Sequence, residues 1–470
     1  MRFNRIRRCG LGVAMLATLV VATACDDTTN VVQPTGVAQL DLDVREALAD
    51  SDVTGIPTPQ ADADALVRLG QALFFDKELS GNRNISCATC HHPVSGTGDA
   101  LPVSIGEGGE GLAENRDMGT GRLIPRNAPH VFNGGVAGVH SMFWDSRVRF
   151  DGVTGELTTP EAGLNGPNPA LDDIASQLRS ALAAQAMFPV TSGDEMRGEP
   201  GTNEIADAAD NNGVWTALMA RLVGTNNGTT GGIQGYRDLF RAAYPAVTDY
   251  DDFNFGHAAR AIAAFERDRW TALDSPFDQY LAGDNSALSD AEKLGALLFY
   301  GKARCGECHT GPLLSDFEHH AIAIPQVGPG KNAENEDLGL ALETGDAADN
   351  YKFRTPRLRN VALTGPWMHD GCFTSLEAAV RHHLDCTSSL LGYDAAQLPG
   401  LFQGTVDVDL DRNQARLDAM PDEVRGVIGL TETEFDNLMA FIYALTDTDS
   451  INLVAKDVPV SVPSGLPVND

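Results

Sequence analysis

The chain has 470 residues, enough for two hydrophobic cores, and 65 acidic against 34 basic side chains leave it with a formal net charge of −31. Such acidity weighs against a nucleic-acid ligand, because phosphate repulsion would oppose binding. It fits an acidic face that steers a basic redox partner, and equally an exported protein kept soluble by charge.

In chain order, the first feature is an export signal over residues 1–24. Arg2, Arg5, Arg7 and Arg8 form a basic start, and residues 11–22 are an apolar run too short to span a bilayer. Ala22, Thr23 and Ala24 then lead into Cys25 and two aspartates. That resembles a bacterial lipoprotein signal whose cysteine carries lipid, although Ala22 stands where a larger aliphatic is usual; simple secretion is the alternative. Either way the mature protein is expected in the periplasm, with a possible anchor at Cys25. Residues 25–40 are polar and contain Pro and Gly, as a tether would. No later segment is apolar for long enough to cross a membrane.

Two stretches echo one another. Leu69-Gly70-Gln71-Ala72-Leu73-Phe74-Phe75 precedes Cys87-Ala88-Thr89-Cys90-His91, and Leu294-Gly295-Ala296-Leu297-Leu298-Phe299-Tyr300 precedes Cys305-Gly306-Glu307-Cys308-His309. Both leading stretches read as amphipathic helices, the second opened by a Ser289/Glu292 capping box. Asn127-Ala128-Pro129 follows the first motif, and Arg354-Thr355-Pro356 the second. Residues 158–235 are a long insertion with helical stretches such as 171–186. A helix over 256–269 closes the first unit, and Asp274-Ser275-Pro276 marks the junction. Thr374 and Glu377 predict a capping box for a helix reaching His383, a last helix covers 434–445, and residues 451–470 read as an extended, loose tail. The fold expected is mainly α: two tandem cytochrome c-like haem domains, 41–272 and 273–450, packed at a shared interface.

The chemistry lies in the two pentapeptides. Cys-x-x-Cys-His is the attachment signature of c-type haem. Two thiols add across the vinyl groups of one porphyrin, and the adjacent histidine is held beneath the iron. Two disulfides, or one four-cysteine zinc site, would leave both histidines unexplained. Of eight cysteines, Cys9 lies in the signal, Cys25 is the lipid candidate and four belong to the motifs, leaving Cys372 and Cys386. An oxidising compartment invites a disulfide between them. Yet ten helical residues span about 15 Å, against roughly 4.4–6.8 Å between bridged Cα atoms. The pairing stays open.

Three further strings complete a resemblance: Phe143-Trp144-Asp145-Ser146-Arg147, Phe353-Arg354-Thr355-Pro356-Arg357-Leu358-Arg359-Asn360, and Thr364-Gly365-Pro366-Trp367-Met368-His369-Asp370-Gly371. With the haem motifs they resemble the bacterial dihaem cytochrome c peroxidase family, which includes the MauG-type enzymes. The resemblance implies two covalently bound haem c groups, on Cys87, Cys90 and His91 and on Cys305, Cys308 and His309, the first reacting with peroxide and the second passing electrons. It implies a hole-carrying indole between the haems at Trp144, and a calcium site at Asn127, Thr364 and Pro366, oxygen ligands that suit Ca²⁺. Glu195 matches the family's distal acid/base, with Glu161 as a weaker candidate. Many members carry a blocking histidine in a Ser-Ile-Gly-x segment. Here Glu107 occupies that place and joins the acidic residues assigned to the first site; as a poor ligand for ferric haem it would leave the iron open. The family's methionine or tyrosine on the second iron falls fourteen residues after the histidine of His-Asp-Gly, which lands on His383. Helical phase puts His383 on the stripe of Leu376, Ala379 and Val380, facing the core, with His382 turned about 100° away.

The leading expectation is reduction of H₂O₂ to water, with electrons from a small redox protein such as a cytochrome c or cupredoxin. The second is a MauG-like oxidation of residues such as tryptophan in a partner protein by high-valent dihaem iron. The third is a dihaem electron carrier without catalysis, which would need both irons six-coordinate.

Overall fold

Apolar positions recurring every three to four residues build the main helices: Gln39–Asp50 (α1), Asp64–Phe75 (α2), Asn211–Leu222 (α3), Gln234–Ala243 (α4), Phe255–Arg269 (α5), Asp290–Tyr300 (α6), Leu376–Leu384 (α7) and Glu432–Tyr443 (α8). Two small antiparallel sheets complete the regular structure. One pairs Ser141–Met142 (β1), Val148–Phe150 (β2) and Leu157–Thr158 (β3); the other pairs His319–His320 (β4) with Phe353–Arg354 (β5). The computed structural model describes residues 38–468, so the export signal, Cys25 and most of the tether lie outside the described residues.

The echoed helices do the same job twice. In α2, Gly70 lies against α5 so closely that a Cβ would sit 1.9 Å from the Ala261 carbonyl oxygen and 2.8 Å from the Phe265 Cβ. In α6, Gly295 meets α8 in the same way, 1.9 Å from the Asn437 carbonyl oxygen and 2.8 Å from the Phe441 Cβ. Only glycine permits that backbone approach. Each pair carries its own hydrophobic cluster and abuts the Cys-x-x-Cys-His segment that follows the first helix. Ser289 caps α6 with the predicted Glu292 box. The buried residues of the 158–235 insertion, Trp215 and Leu218 among them, join the first cluster.

The chain ends depart from the boundaries read in the sequence. α1 belongs with the second cluster: Val44 and Leu48 are buried there, Asp41 pairs with Lys293 of α6 at 2.8 Å, and Gly311, just after the second motif, donates to the Ser51 carbonyl at 3.1 Å. The tail is anchored on the first cluster. Leu453 and Val462 are buried in it, Trp270 Nε1 donates to Asp457 (3.0 Å), and Ser464 Oγ donates to Asp76 (2.6 Å). A string rich in Val and Pro reads as loose, but its few apolar side chains fill gaps the helices leave. Residues 171–186 form two short helices, Asp172–Ala175 and Ala181–Gln185, the second capped by Ser180. α7 is capped by Ser375 through Ala378 N–H, not by Thr374, and Glu377 instead accepts from Tyr443.

Asp76 is fully buried and accepts from Tyr236 Oη (2.6 Å), Ser464 Oγ and the Glu78 amide (3.0 Å). Asp76→Ala strips those donors of their acceptor and is expected to cost about 2–4 kcal/mol in urea unfolding. It should also speed proteolytic removal of the tail. Unchanged stability with a protected tail would refute this account of the anchor.

Candidate active site at two haem-attachment motifs

Residues Cys87–Cys90 form one helical turn. Its N-cap, Ser86, is in a capping box with Thr89, and the turn puts both thiols on one side. The turn borders a cavity of about 640 Å³ that is also lined by His91, Ser104, Trp144 and Glu195. His91 Nδ1–H donates to the Thr97 carbonyl (3.2 Å), which directs Nε2 away as a free ligand atom. Burial lowers the pKa of the ring and keeps it neutral, as a ligand must be. Two thiols, one oriented neutral imidazole and this volume fit a haem attached through Cys87 and Cys90.

Glu195 sits in a single π-helical turn, Gly193–Arg197, whose Ser192 cap accepts from the Glu195 amide at 3.4 Å. Burial raises the pKa of its carboxyl, against the pull of Arg147 and Lys331. Among the described residues no hydrogen bond holds either carboxyl oxygen, so the group is available to a ligand in the cavity. Glu161 is not. Its carboxylate accepts from the Gly163 amide as a helix cap and from Asn211 Nδ2, both at 3.1 Å. Glu107 lies behind the wall: its Oε1 accepts from Asn82 (2.8 Å) and Asn84 (2.7 Å).

Trp144 stands between two spaces. It lines the large cavity and also a second one of about 60 Å³ bordered by Asn127, Thr364, Pro366 and Met368. Its Nε1–H donates to the Asn127 carbonyl at 2.9 Å. The Asn127 amide nitrogen donates to Leu101 O (2.8 Å), leaving Oδ1 unengaged. The structure thus brings the three calcium candidates to one small, oxygen-bearing space.

At the second motif His309 Nδ1–H donates to Leu314 O (2.9 Å), and His383 Nδ1–H donates to Ala379 O (2.8 Å). Both rings therefore offer Nε2. Their centroids lie 6.4 Å apart, a separation that admits one metal ion with two imidazole bonds of about 2 Å. Burial and the neighbouring His383 lower the pKa of His309 to about 4. His382 is the histidine in the core: it is fully buried, and its Nε2 bonds Ile322 O at 2.7 Å. The phase argument thus had the two neighbours' environments reversed, since His383 is accessible on the face that looks toward His309. Cys372 and Cys386 are unbridged and buried in different clusters.

The wall of the large cavity also holds Arg126, Arg147, Lys331, Arg354, Arg357 and Glu266. Burial pushes Glu266 up to about 8, against the pull of Arg357, and among the described residues its Oε2 has no hydrogen-bond partner. Sequence reasoning passed over Glu266, although it sits four residues after Ile262 and eight after Ala258 on the buried stripe of α5. A carboxylate at that phase was the available signal.

Comparison with known proteins agrees with this geometry. The sequence pattern of the family described as di-haem cytochrome c peroxidase matches residues 64–286. The methylamine utilization protein MauG of Methylorubrum extorquens is 30% identical over 331 residues, 70% of this chain and 72% of that one. The cytochrome c551 peroxidase of Pseudomonas aeruginosa is 30% identical over 312 residues, 66% and 69% of the two chains. Among solved structures, a MauG-like protein associated with microbial copper homeostasis superposes with a TM-score of 0.55 at 27% identity, covering 85% of this chain and 94% of that one. The chain belongs to the di-haem cytochrome c peroxidase family, and is an oxidoreductase of the peroxidase type.

Proposed function

We propose that the chain reduces H₂O₂ to water at the first motif, with electrons entering through the second, each motif belonging to one of two tandem cytochrome c-like units. The observation that carries this reading is the asymmetry of the two sites. Two imidazoles, His309 and His383, face one another at the second, whereas a free carboxyl, Glu195, shares the first cavity with His91. An iron held on both faces suits electron transfer, and one held on a single face beside an acid suits a reacting ligand. Cys87, Cys90 and His91 would hold one haem, and Cys305, Cys308, His309 and His383 the other. Once attached, the haems supply the iron that binds peroxide and the electrons that cleave it.

Glu195 supplies the proton chemistry. Its carboxylate takes a proton from one peroxide oxygen and returns it to the other, so that the departing group leaves as water. With two electrons and two protons the products are two waters. Burial raises its pKa, and Arg147 and Lys331 oppose that rise. Trp144, which lines the first cavity, would pass electrons between the sites. Asn127 Oδ1 with the Thr364 and Pro366 carbonyls would hold Ca²⁺ next to that indole.

A second reading, oxidation of residues in a partner protein, draws on the paired imidazoles. Methionine ligation raises a haem potential, so two histidines favour the oxidised state. Stopped-flow mixing with H₂O₂ separates the readings. Fast turnover with reduced cytochrome c supports the peroxidase, slow turnover with a persistent oxidised state supports the partner-modifying enzyme, and no reaction leaves an electron carrier.

Glu195→Gln should lower kcat/KM for H₂O₂ by about 100-fold or more. The base form is the active one and its pKa is raised, so the wild-type rate should climb with pH along a limb displaced above that of an ordinary glutamate. The variant should lack that limb. His383→Ala should abolish the low-spin ferric EPR signal of the second haem, and His383→Met should raise its potential in a redox titration; survival of both properties would remove His383 as the ligand. Chelation with EGTA should lower the melting temperature and slow electron delivery, and Ca²⁺ but not Mg²⁺ should restore both.

A further inference from the structure

We propose that Glu107 is a positioning residue that locks the turn bearing Glu195 against the segment leading into the first haem-attachment motif. This rests on the reading of Glu195 as the proton carrier. A single π-helical turn, closed only by its Ser192 cap and its own backbone, does little to fix one side chain. Among the described residues the Glu195 carboxyl takes no hydrogen bond, so its direction is set by how the backbone of the turn is held from outside.

Three bonds from three segments do that. The Glu107 amide donates to the Asp194 carbonyl at 2.9 Å, and the Gly81 amide donates to the Met196 carbonyl at 2.8 Å. These are the residues on either side of Glu195. Asn203 Nδ2 reaches the Arg197 carbonyl at 3.2 Å and also Asn82 Oδ1 at 3.0 Å. The Glu107 side chain ties the set together. Its Oε1 accepts from both Asn82 and Asn84, the two side-chain amides of the segment that runs into Cys87. Glu107 thus joins the attachment segment by its carboxylate and the turn by its backbone amide, and Asn82 links that carboxylate through Asn203 to the Arg197 carbonyl.

The lock is rigid on its own side. Arg116 donates to the carbonyls of Ile105 and Gly106, both at 2.8 Å. Gly106 packs so tightly on the turn that a Cβ there would lie 1.8 Å from the Asp194 carbonyl oxygen. Glu107 borders neither cavity, so it acts through Glu195 and touches no reactant. Its work is to hold the carboxyl at a fixed distance from the ligand that His91 carries, where an error of about 1 Å can cost 100-fold in rate.

The test uses the holoenzyme with Glu107→Ala, Glu107→Gln, Asn84→Ala, Glu195→Gln and the Glu107→Ala/Glu195→Gln double variant. Glu107→Ala should lower kcat/KM for H₂O₂ about 10- to 100-fold and flatten the pH limb that depends on Glu195. Glu107→Gln keeps an acceptor oxygen for both amides and should recover most of the loss. Amide hydrogen exchange in peptides covering residues 192–198 should accelerate in Glu107→Ala and return toward wild type in Glu107→Gln. The double variant should be no slower than Glu195→Gln alone, because a lock on an absent carboxyl has nothing to position. Asn84→Ala removes one amide without touching Glu107 and should fall between, which decides the matter if Glu107→Ala loses its haems. Loss of rate with unchanged exchange, or additive losses in the double variant, would overturn the proposal. If Glu195→Gln itself reacts normally, it is the underlying reading of Glu195 that fails.

Discussion

A buried charge cluster ties residues far apart in the sequence together at the first cavity. Arg126 makes two bonds to Asp337, 2.7 and 2.8 Å, across 211 residues of sequence, and a third to Asp145. Asp145 also receives Arg147 and Lys331 at 3.0 Å each, and is fully buried. Burial alone would raise its pKa, but Arg126, then Arg147 and Lys331, hold it far below the usual range. Such a cluster does not add stability for its own sake, since desolvating each charge costs several kcal/mol. Removing Asp145 would leave Arg126, Arg147 and Lys331 with one fewer buried partner. Trp144 is the residue before Asp145, and the Arg354 amide donates to the Trp144 carbonyl at 2.8 Å. The indole between the two cavities is thereby fixed from both halves.

On that frame one helix pair is used twice for different ends. The Gly70 and Gly295 crossings match closely, yet the sites beneath them are unlike. The difference comes from what each unit borrows. Residues 158–235 bring the Glu195 turn to the first cavity, and α7 brings His383 opposite His309. Each chain end also crosses to the other half, α1 to the second cluster and the tail to the first. Duplicated scaffolds can diverge in this way because the shared part is only the backbone crossing, which specifies packing and leaves the open face of each motif free.

Much of this was legible in the residues. The two pentapeptides, the Leu-Gly echoes and the Ser289/Glu292 box are local patterns, and local patterns carry their own geometry. What was hidden depends on distant partners. Glu161 looks like a free carboxylate until Asn211 and the Gly163 amide are brought to it. The tail looks loose until Asp76 and Trp270 appear beneath it. For His382 and His383 the helical period separates the faces correctly, but it does not say which face meets packed side chains and which meets an opposing imidazole. His382 packs in the core and bonds the Ile322 carbonyl, whereas His383 looks toward His309.

The same distinction governs the acids of the first cavity. Burial raises both Glu195 and Glu266, yet the two differ in what surrounds them. Glu195 has Arg147 and Lys331 for company, and these belong to the cluster already held by Asp145, so their charge is offset but not spent. They oppose the penalty of burial. Glu266 has only Arg357, itself fully buried and drawn down to about 9, and stays protonated through the neutral range. Two carboxyls in one cavity thus meet the same burial penalty with different cationic neighbours, Arg147 and Lys331 at one and Arg357 at the other.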